Sequence, residues 1–304
     1  MRLGHFDLNL FVALDALLET RSVTRAAERL HLGASATSSA LGRLREHFGD
    51  ELLVAVGRRM ELTPLAQQLR APVRDLLLRS QATLASRTGF DPARAQRHFR
   101  LIASSYATRI LLGPLLQTLD RGAPGLSVDV LSPARSTAER LQRGEVDLVI
   151  YPQRDAHPDH PWELLYADSY RCVVWEGFRL QGERLSFEQY LAARHVAVQF
   201  DDNRKPTFES WFLSTHGHER DVIARISSFN SLAPLVVGTQ CIATVHTRLA
   251  RLAARTLPVR LLDPPLDIPP LQVVMQWNRY QDNDPALTWL RTQLLAIAAA
   301  DAED

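Results

Sequence analysis

Lysine is nearly missing from this 304-residue chain: Lys205 is the single lysine among 35 basic residues. Arginine carries the rest, and its planar fork suits phosphate and guanine better than an ammonium does. The bias runs through the whole chain, so it reads first as the habit of a GC-rich genome. Net charge is nearly absent too, at +1, so nucleic-acid binding cannot be argued from overall charge. Cysteine is scarce. Cys172 and Cys241 lie in separate apolar, strand-like runs, which excludes a disulfide framework and reads as buried thiols; a cysteine redox sensor is a minor alternative. The chain has no Cys-x-x-Cys, no His-Glu-x-x-His and no Gly-x-Ser-x-Gly, and its histidines are scattered. No metal, no cofactor and no catalytic residue is expected. No run of 18 apolar residues and no signal-type opening occurs, so the expected location is cytoplasmic, away from membranes. A solute-binding transport protein would need export and does not fit. The length allows two or three domains, and 46% hydrophobic with 23% charged residues suits a globular chain.

What is present is concentrated between Arg21 and Arg45. A short helical pattern with Ala26, Ala27 and Leu30 stops at the turn His31-Leu32-Gly33. A second helix follows, with Ala36, Ala40, Leu41 and Leu44 expected on its buried side. Ser35, Thr37, Ser38, Ser39, Gly42 and Arg43 are expected on the other. A helix with so slim a polar side can enter a DNA major groove and bring donors to phosphates and base edges. Thr24 and Arg25, at the start of the first helix, join the candidate DNA contacts. Ser35 is the expected N-cap of the second helix. Upstream, Asp7 to Leu18 reads as an amphipathic helix through Leu8, Phe11, Val12 and Leu18. Downstream, a strand over Leu52–Val54, a turn at Gly57-Arg58-Arg59 and a return strand to Leu62 make a wing. Its Arg58 and Arg59 suit backbone phosphates or the minor groove. From Arg21 to Arg59, seven arginines face four acids, a mild basic excess that a dimer would double.

The order Asp-Leu-Asn-Leu-Phe (Asp7–Phe11), Ser-Val-Thr-Arg-Ala-Ala-Glu-Arg-Leu (Ser22–Leu30), Leu-Gly-Arg-Leu-Arg (Leu41–Arg45), Phe-Gly-Asp-Glu-Leu-Leu (Phe48–Leu53) and Leu-Thr-Pro (Leu62–Pro64) resembles the LysR-type transcriptional regulators. Within them, it resembles the branch of nodulation and naphthalene/salicylate-degradation regulators. Asp-Asn-Asp-Pro-Ala (Asp282–Ala286) and Trp-Leu-Arg (Trp289–Arg291) extend that likeness to the end. The family's usual Ser-Gln-Pro-Ala-Val-Ser opening of the recognition helix is here Gly33-Ala34-Ser35-Ala36-Thr37-Ser38. The resemblance implies an α+β protein: an N-terminal winged helix-turn-helix over 1–64, a linker helix and hinge over 65–96, and a C-terminal effector domain over 97–304. That last domain would be two-lobed, α/β and periplasmic-binding-protein-like. Lobe 1 would use about 97–166 plus 271–304, and lobe 2 about 167–270. The implied partners are double-stranded DNA at an inverted-repeat promoter site, a small-molecule effector in the cleft, and further copies of the chain as a homodimer or homotetramer. Contact with RNA polymerase is left open, as is a regulator that needs no effector.

Pro64 to Arg87 reads as one long helix, kinked at Pro72, with Leu65, Leu69, Val73, Leu76 and Leu84 as the stripe for pairing with its twin. From Arg97 the chain alternates strands and helices as parallel α/β units. Residues at strand ends are then the cleft candidates. Ser104 and Ser105 precede a helix and suit an anionic group, with Tyr106 as an aromatic wall and Arg109 as the nearest cation. Asp168 and Ser169 stand at the lobe crossover. Phe200, Phe229 and Asn230 end second-lobe elements, with Ser227 and Ser228 as a second cap. Trp277 lies near the return crossover. Together they suit a small aromatic or anionic effector.

Overall fold

Helix α1 (Asn9–Thr20) opens where the Asp7 carboxylate accepts the Asn9 amide at 3.0 Å, and it buries Leu10, Leu14, Leu17 and Leu18. Leu8 and Val12, expected on the core stripe, are instead 54% and 45% exposed. The Leu10–Leu14–Leu17–Leu18 set has the larger apolar payload and takes the inward phase. Helix α2 (Val23–Leu30) is capped by the Ser22 hydroxyl and ends at His31 in a left-handed conformation. Helix α3 (Ala34–Phe48) runs from Gly33 without a side-chain cap and ends at Gly49, φ +62°. Ser35 is therefore inside the helix, not its N-cap. Ala26 and Ala27 are buried, and their small size lets α2 approach its neighbours closely.

The wing is an antiparallel hairpin of β1 (Leu53–Val56) and β2 (Arg59–Leu62). Arg45 ties the last turn of α3 to it, donating from Nε to the Glu51 carbonyl at 2.9 Å and from Nη2 to that of Leu53 at 3.0 Å. Asp50 Oδ1 takes the Leu52 amide and the Thr63 hydroxyl, each at 2.6 Å. The Thr63 oxygen in turn accepts the Ala66 amide at 3.1 Å, so one carboxylate organises both the wing and the start of α4 (Pro64–Ala85). Pro64 sits where its missing N–H costs nothing, and Pro72 lies within the helix. The expected pairing stripe divides. Val73 is buried and Leu69 half-buried in the winged-helix core, and Arg74 pairs with Asp15 of α1 at 2.7 Å. Leu65 is half-buried, while Leu76 and Leu84 are 39% and 79% exposed. Val73 and Leu69 thus serve their own domain, because α1 offers them apolar partners within the chain.

The computed structural model describes residues 6–57, 59–85, 90–180, 184–200 and 207–300; Arg58, Gly89 and Asp201 lie outside them. It divides into two units, Met1–Ser86 and Arg87–Asp304. In the second, β3 (Arg97–Ala103), α5 (Ser105–Gly122), β4 (Leu126–Leu131), α6 (Thr137–Gln142), β5 (Leu148–Pro152) and β6 (Trp162–Asp168) build one lobe. The chain crosses through Ser169 into β7 (Tyr170–Trp175), α7 (Phe187–Ala192), β8 (Arg194–Val198), α8 (Phe208–Thr215), β9 (Asp221–Ile226), α9 (Leu232–Val236), β10 (Cys241–His246), α10 (Thr247–Ala254) and β11 (Val259–Leu262). It returns with β12 (Leu271–Gln276) and α11 (Pro285–Ala300). The sheets are ordered β4-β3-β5-β12-β6 and β11-β7-β10-β8-β9. They are mixed rather than parallel: β12 runs antiparallel to β5 and β6, and β7 antiparallel to β10 and β11. This follows from the crossovers, since a strand arriving from the other lobe need not repeat the βαβ direction. All of β10 is buried, as expected of a central strand covered on both sides.

Candidate functional site

Ser35, Ser38, Ser39, Gly42 and Arg43 are exposed on α3, as are Ala34, Glu46 and His47, and Thr24 and Arg25 are exposed on α2. Thr37 is a correction. It is fully buried, its hydroxyl held by the Gly33 carbonyl at 3.3 Å, and Ala36 is exposed in its place. A threonine can turn inward when its own helix satisfies its hydroxyl. Arg43 bridges to Asp7 at 3.3 Å while 55% exposed, so it is held loosely and can exchange that partner. Arg25 donates to the Thr20 carbonyl at 2.7 Å. Arg59 is exposed on the wing.

A cavity of about 220 Å³ lies in the second unit, walled by residues of both lobes. Ser104, Tyr106, Arg135, Tyr151 and Arg154 come from the first lobe, and Tyr170, Phe200, Thr207, Phe229, Thr244 and His246 from the second. The Tyr106 ring lies 4.2 Å from that of His246 and 6.3 Å from that of Phe229, and Phe200 and Phe229 meet at 5.9 Å. Edge and tilted contacts of this kind are the favoured geometry of aromatic pairs. Beside it, the Tyr106 hydroxyl donates to Asp168, whose same oxygen takes the Arg248 amide at 3.3 Å. Burial raises the pKa of Asp168, opposed by the Tyr106 bond and Arg248, and burial raises that of Tyr106. Burial likewise pushes Tyr151 up to about 12. Burial drives His246 down to about 3, so it is neutral. Among the described residues no helix is long and apolar enough to cross a membrane and no cluster could hold a metal.

Residues 8–67 match the model of the bacterial regulatory helix-turn-helix proteins of the lysR family, and residues 92–299 that of the LysR substrate binding domain. The chain belongs to the LysR family of transcriptional regulators. It is 38% identical over 299 residues to nodulation protein D 2 of Rhizobium tropici, covering 98% of this chain and 95% of that protein. With nodulation protein D 3 of Rhizobium meliloti it shares 39% over 302 residues, covering 98% and 96%. Among solved structures, a probable transcriptional regulator of Pseudomonas aeruginosa superposes with a TM-score of 0.65 at 31% identity, covering 96% of this chain and 97% of that one. Full-length OxyR of the same organism, as a cysteine variant, gives 0.72 at 14% identity over 97% and 95%, a likeness of fold. This LysR regulator is not an enzyme. LysR regulators bind DNA through the helix-turn-helix and small-molecule effectors through the substrate-binding domain, and oligomerisation is typical of the family.

Within the LysR effector domain, several strand-end residues have tasks other than lining the cavity. The Ser104 oxygen caps α5 by accepting the Ala107 amide at 3.2 Å, and it does line the cavity. Ser105 does not: its hydroxyl accepts the Phe229 amide at 2.9 Å, and its carbonyl the Asn230 side chain at 3.2 Å. Ser105 and Asn230 thus knit the two lobes. Asp168 holds Tyr106, and Ser169 pairs with Thr247 at 2.7 Å. Trp277 is buried elsewhere, with its indole N–H on Asp282 at 2.9 Å and Arg291 stacked 3.8 Å from its ring. Arg109 is exposed outside the lining, where Arg135 and Arg154 are the cations instead. Ser227 and Ser228 precede a short 3-10 turn and make no cap bond. Tyr170, Thr244 and His246 were missed. The same strand-end rule finds His246, which closes β10 directly before α10.

Proposed function

We propose that this regulator works in the cytoplasm as a homodimer or homotetramer whose paired winged helices read an inverted-repeat promoter site. A small aromatic effector, with a polar or anionic end, switches it from the cleft between the lobes. The observation that carries the effector class is the cavity walled by Tyr106, Tyr170, Phe200 and Phe229, with Arg135 and Arg154 at its more exposed margin. Aromatic walls with a few convergent polar groups are the usual build of a small-molecule pocket. A cavity of about 150 Å³ lined by apolar side chains takes up benzene, so about 220 Å³ suits one or two fused rings. Effector binding would then favour one arrangement of the lobes and, through it, one arrangement of subunits on DNA. On the DNA side the proposed contacts are Thr24, Arg25, Ser35, Ser38, Ser39, Arg43 and Arg59. Between subunits they are Leu65, Leu76 and Leu84, three leucines that α4 leaves at least partly in water and that are not packed into the winged-helix core. RNA polymerase is a further proposed partner.

The test is thermal shift with a panel of one- and two-ring aromatic acids and phenols. A ligand of the cleft raises the melting temperature of the wild type and does so less for Phe229→Ala. If no aromatic compound shifts it, a regulator that acts without an effector takes the place of this reading. For the oligomer, Leu76→Glu is expected to dissociate the subunits and keep the winged helix folded, whereas Val73→Glu unfolds it. Sedimentation showing a wild-type assembly for Leu76→Glu overturns the α4 assignment.

A further inference from the structure

His246 is the imidazole among the polar groups that wall the cavity. Its ring is packed among three others, at centroid distances of 4.2 Å from Tyr106, 4.9 Å from Tyr170 and 5.0 Å from Phe229. It is 5% exposed and lines the cavity. Its Nδ1 is buried without a partner, and among the described residues neither ring nitrogen makes a hydrogen bond. Three polar side chains around it are engaged elsewhere. The Tyr106 hydroxyl is on Asp168, the Thr244 hydroxyl pairs with Tyr190 at 2.8 Å, and the Ser104 oxygen caps its helix. Buried polar groups are satisfied in the great majority of cases, and an exception calls for a missing partner. Here that partner can enter through the cavity.

We infer that His246 is a specificity-determining residue of the cleft, which selects an uncharged one- or two-ring aromatic compound through a hydroxyl bonded to its imidazole. The inference rests on the reading of the cleft as an aromatic effector site. A neutral imidazole offers one donor and one acceptor, and burial keeps this one neutral. A hydroxyl both donates and accepts, so it can meet whichever nitrogen faces it. A carboxylate can only accept, and it would enter a wall of aromatic rings without a counter-charge from His246, which makes it a costly guest there. An ether of the same shape can accept from the imidazole N–H but has nothing to donate to its bare nitrogen, so the naphthol–ether pair isolates the bond to that nitrogen. The aromatic neighbours fix the imidazole in place, so the selection is made by a preorganised group.

The experiment uses the full-length chain with 2-naphthol, 2-methoxynaphthalene and 2-naphthoic acid, their affinities measured by calorimetry on wild type, His246→Phe and His246→Leu. Wild type is expected to bind the naphthol about tenfold tighter than the ether, the worth of one well-made hydrogen bond. Either variant should lose that ratio by weakening the naphthol while holding the ether. Binding of the ether also reports that a variant is folded, and the leucine variant serves if the phenylalanine does not fold. Equal affinities for naphthol and ether in the wild type overturn the inference and leave the cleft reading standing. So does a preference that survives in a folded variant, or a carboxylate preferred over the naphthol in the wild type. Failure of all three compounds to bind the wild type removes the aromatic cleft reading itself, and this inference with it.

Discussion

On the outer side of α3, Ser35, Ser38, Ser39 and Arg43 hold their polar groups in water, whereas around the cleft Tyr106, Thr244, Ser104 and Ser105 are each bonded to another part of the protein. The first surface can lose a side chain without leaving a buried group stranded. The second cannot, because each of those four hydroxyls also satisfies a partner. Substitutions should therefore separate by readout: binding on the DNA side, stability on the effector side.

The largest expected effect is on acid stability, and it belongs to the effector domain. His246 and His195 have folded pKa values lowered to about 3 and about 4, both mainly by burial. In the unfolded chain each takes up a proton near pH 6.5. Below that pH the unfolded state binds more protons than the folded state, so stability falls as pH falls and stops falling through each folded pKa. Each histidine removes about 1.4 kcal/mol per pH unit within its window. Denaturant unfolding at pH 7, 5.5 and 4.5 should show His246→Phe losing less than wild type by about that slope. Parallel curves for the two proteins would remove His246 from the acid response.

Next comes Tyr106→Phe. It takes a hydrogen bond from the buried Asp168 and should cost the effector domain about 1.5–3 kcal/mol, read by denaturant unfolding, with affinity for DNA unchanged in the absence of effector. Arg43→Ala reverses the pattern. Operator affinity should fall by about 1–3 kcal/mol with relaxed base preference, and stability should stay within about 0.5 kcal/mol. Wild-type operator binding by Arg43→Ala would move the reading surface off α3. The smallest change is expected for Arg59→Ala, where the slope of log affinity against log salt drops by about one unit if the wing contacts a phosphate. An unchanged slope takes Arg59 out of the contacts.

The winged helix was legible from sequence because its determinants are local. Helical spacing, the Ser22 cap, the Gly49 end and the Gly57 turn all act within a few residues. The errors there are errors of phase. Thr37 reads as polar and outward, yet its hydroxyl donates to the Gly33 carbonyl at 3.3 Å within its own turn, which frees it to pack inward. The Leu69 and Val73 stripe was read correctly as apolar but assigned to the wrong partner, since a repeat along α4 cannot say whether α1 or a second chain covers it. The cleft was legible only as a set of strand ends. Ser105 meets Phe229 and Tyr106 meets Asp168 across long stretches of sequence, and no spacing rule reports which hydroxyl will be consumed by which. Trp277 was drawn out of the cleft by Asp282 and Arg291, a trap made by the very motif near the chain end that carried the family resemblance.

Asp168 accepts one bond from α5 of the first lobe and one from the start of α10 in the second, and it closes β6 at one edge of the first sheet. Geometrically it stands where a lever would have its pin. Four strand spacings separate β6 from β4 at the opposite edge, a lever arm of about 19 Å at about 4.8 Å per spacing. A tilt of about 3° about the pin, in the plane of the sheet, carries β4 through about 1 Å on that spacing. A displacement too small to notice beside the cavity arrives at the far rim as a shift of contact size.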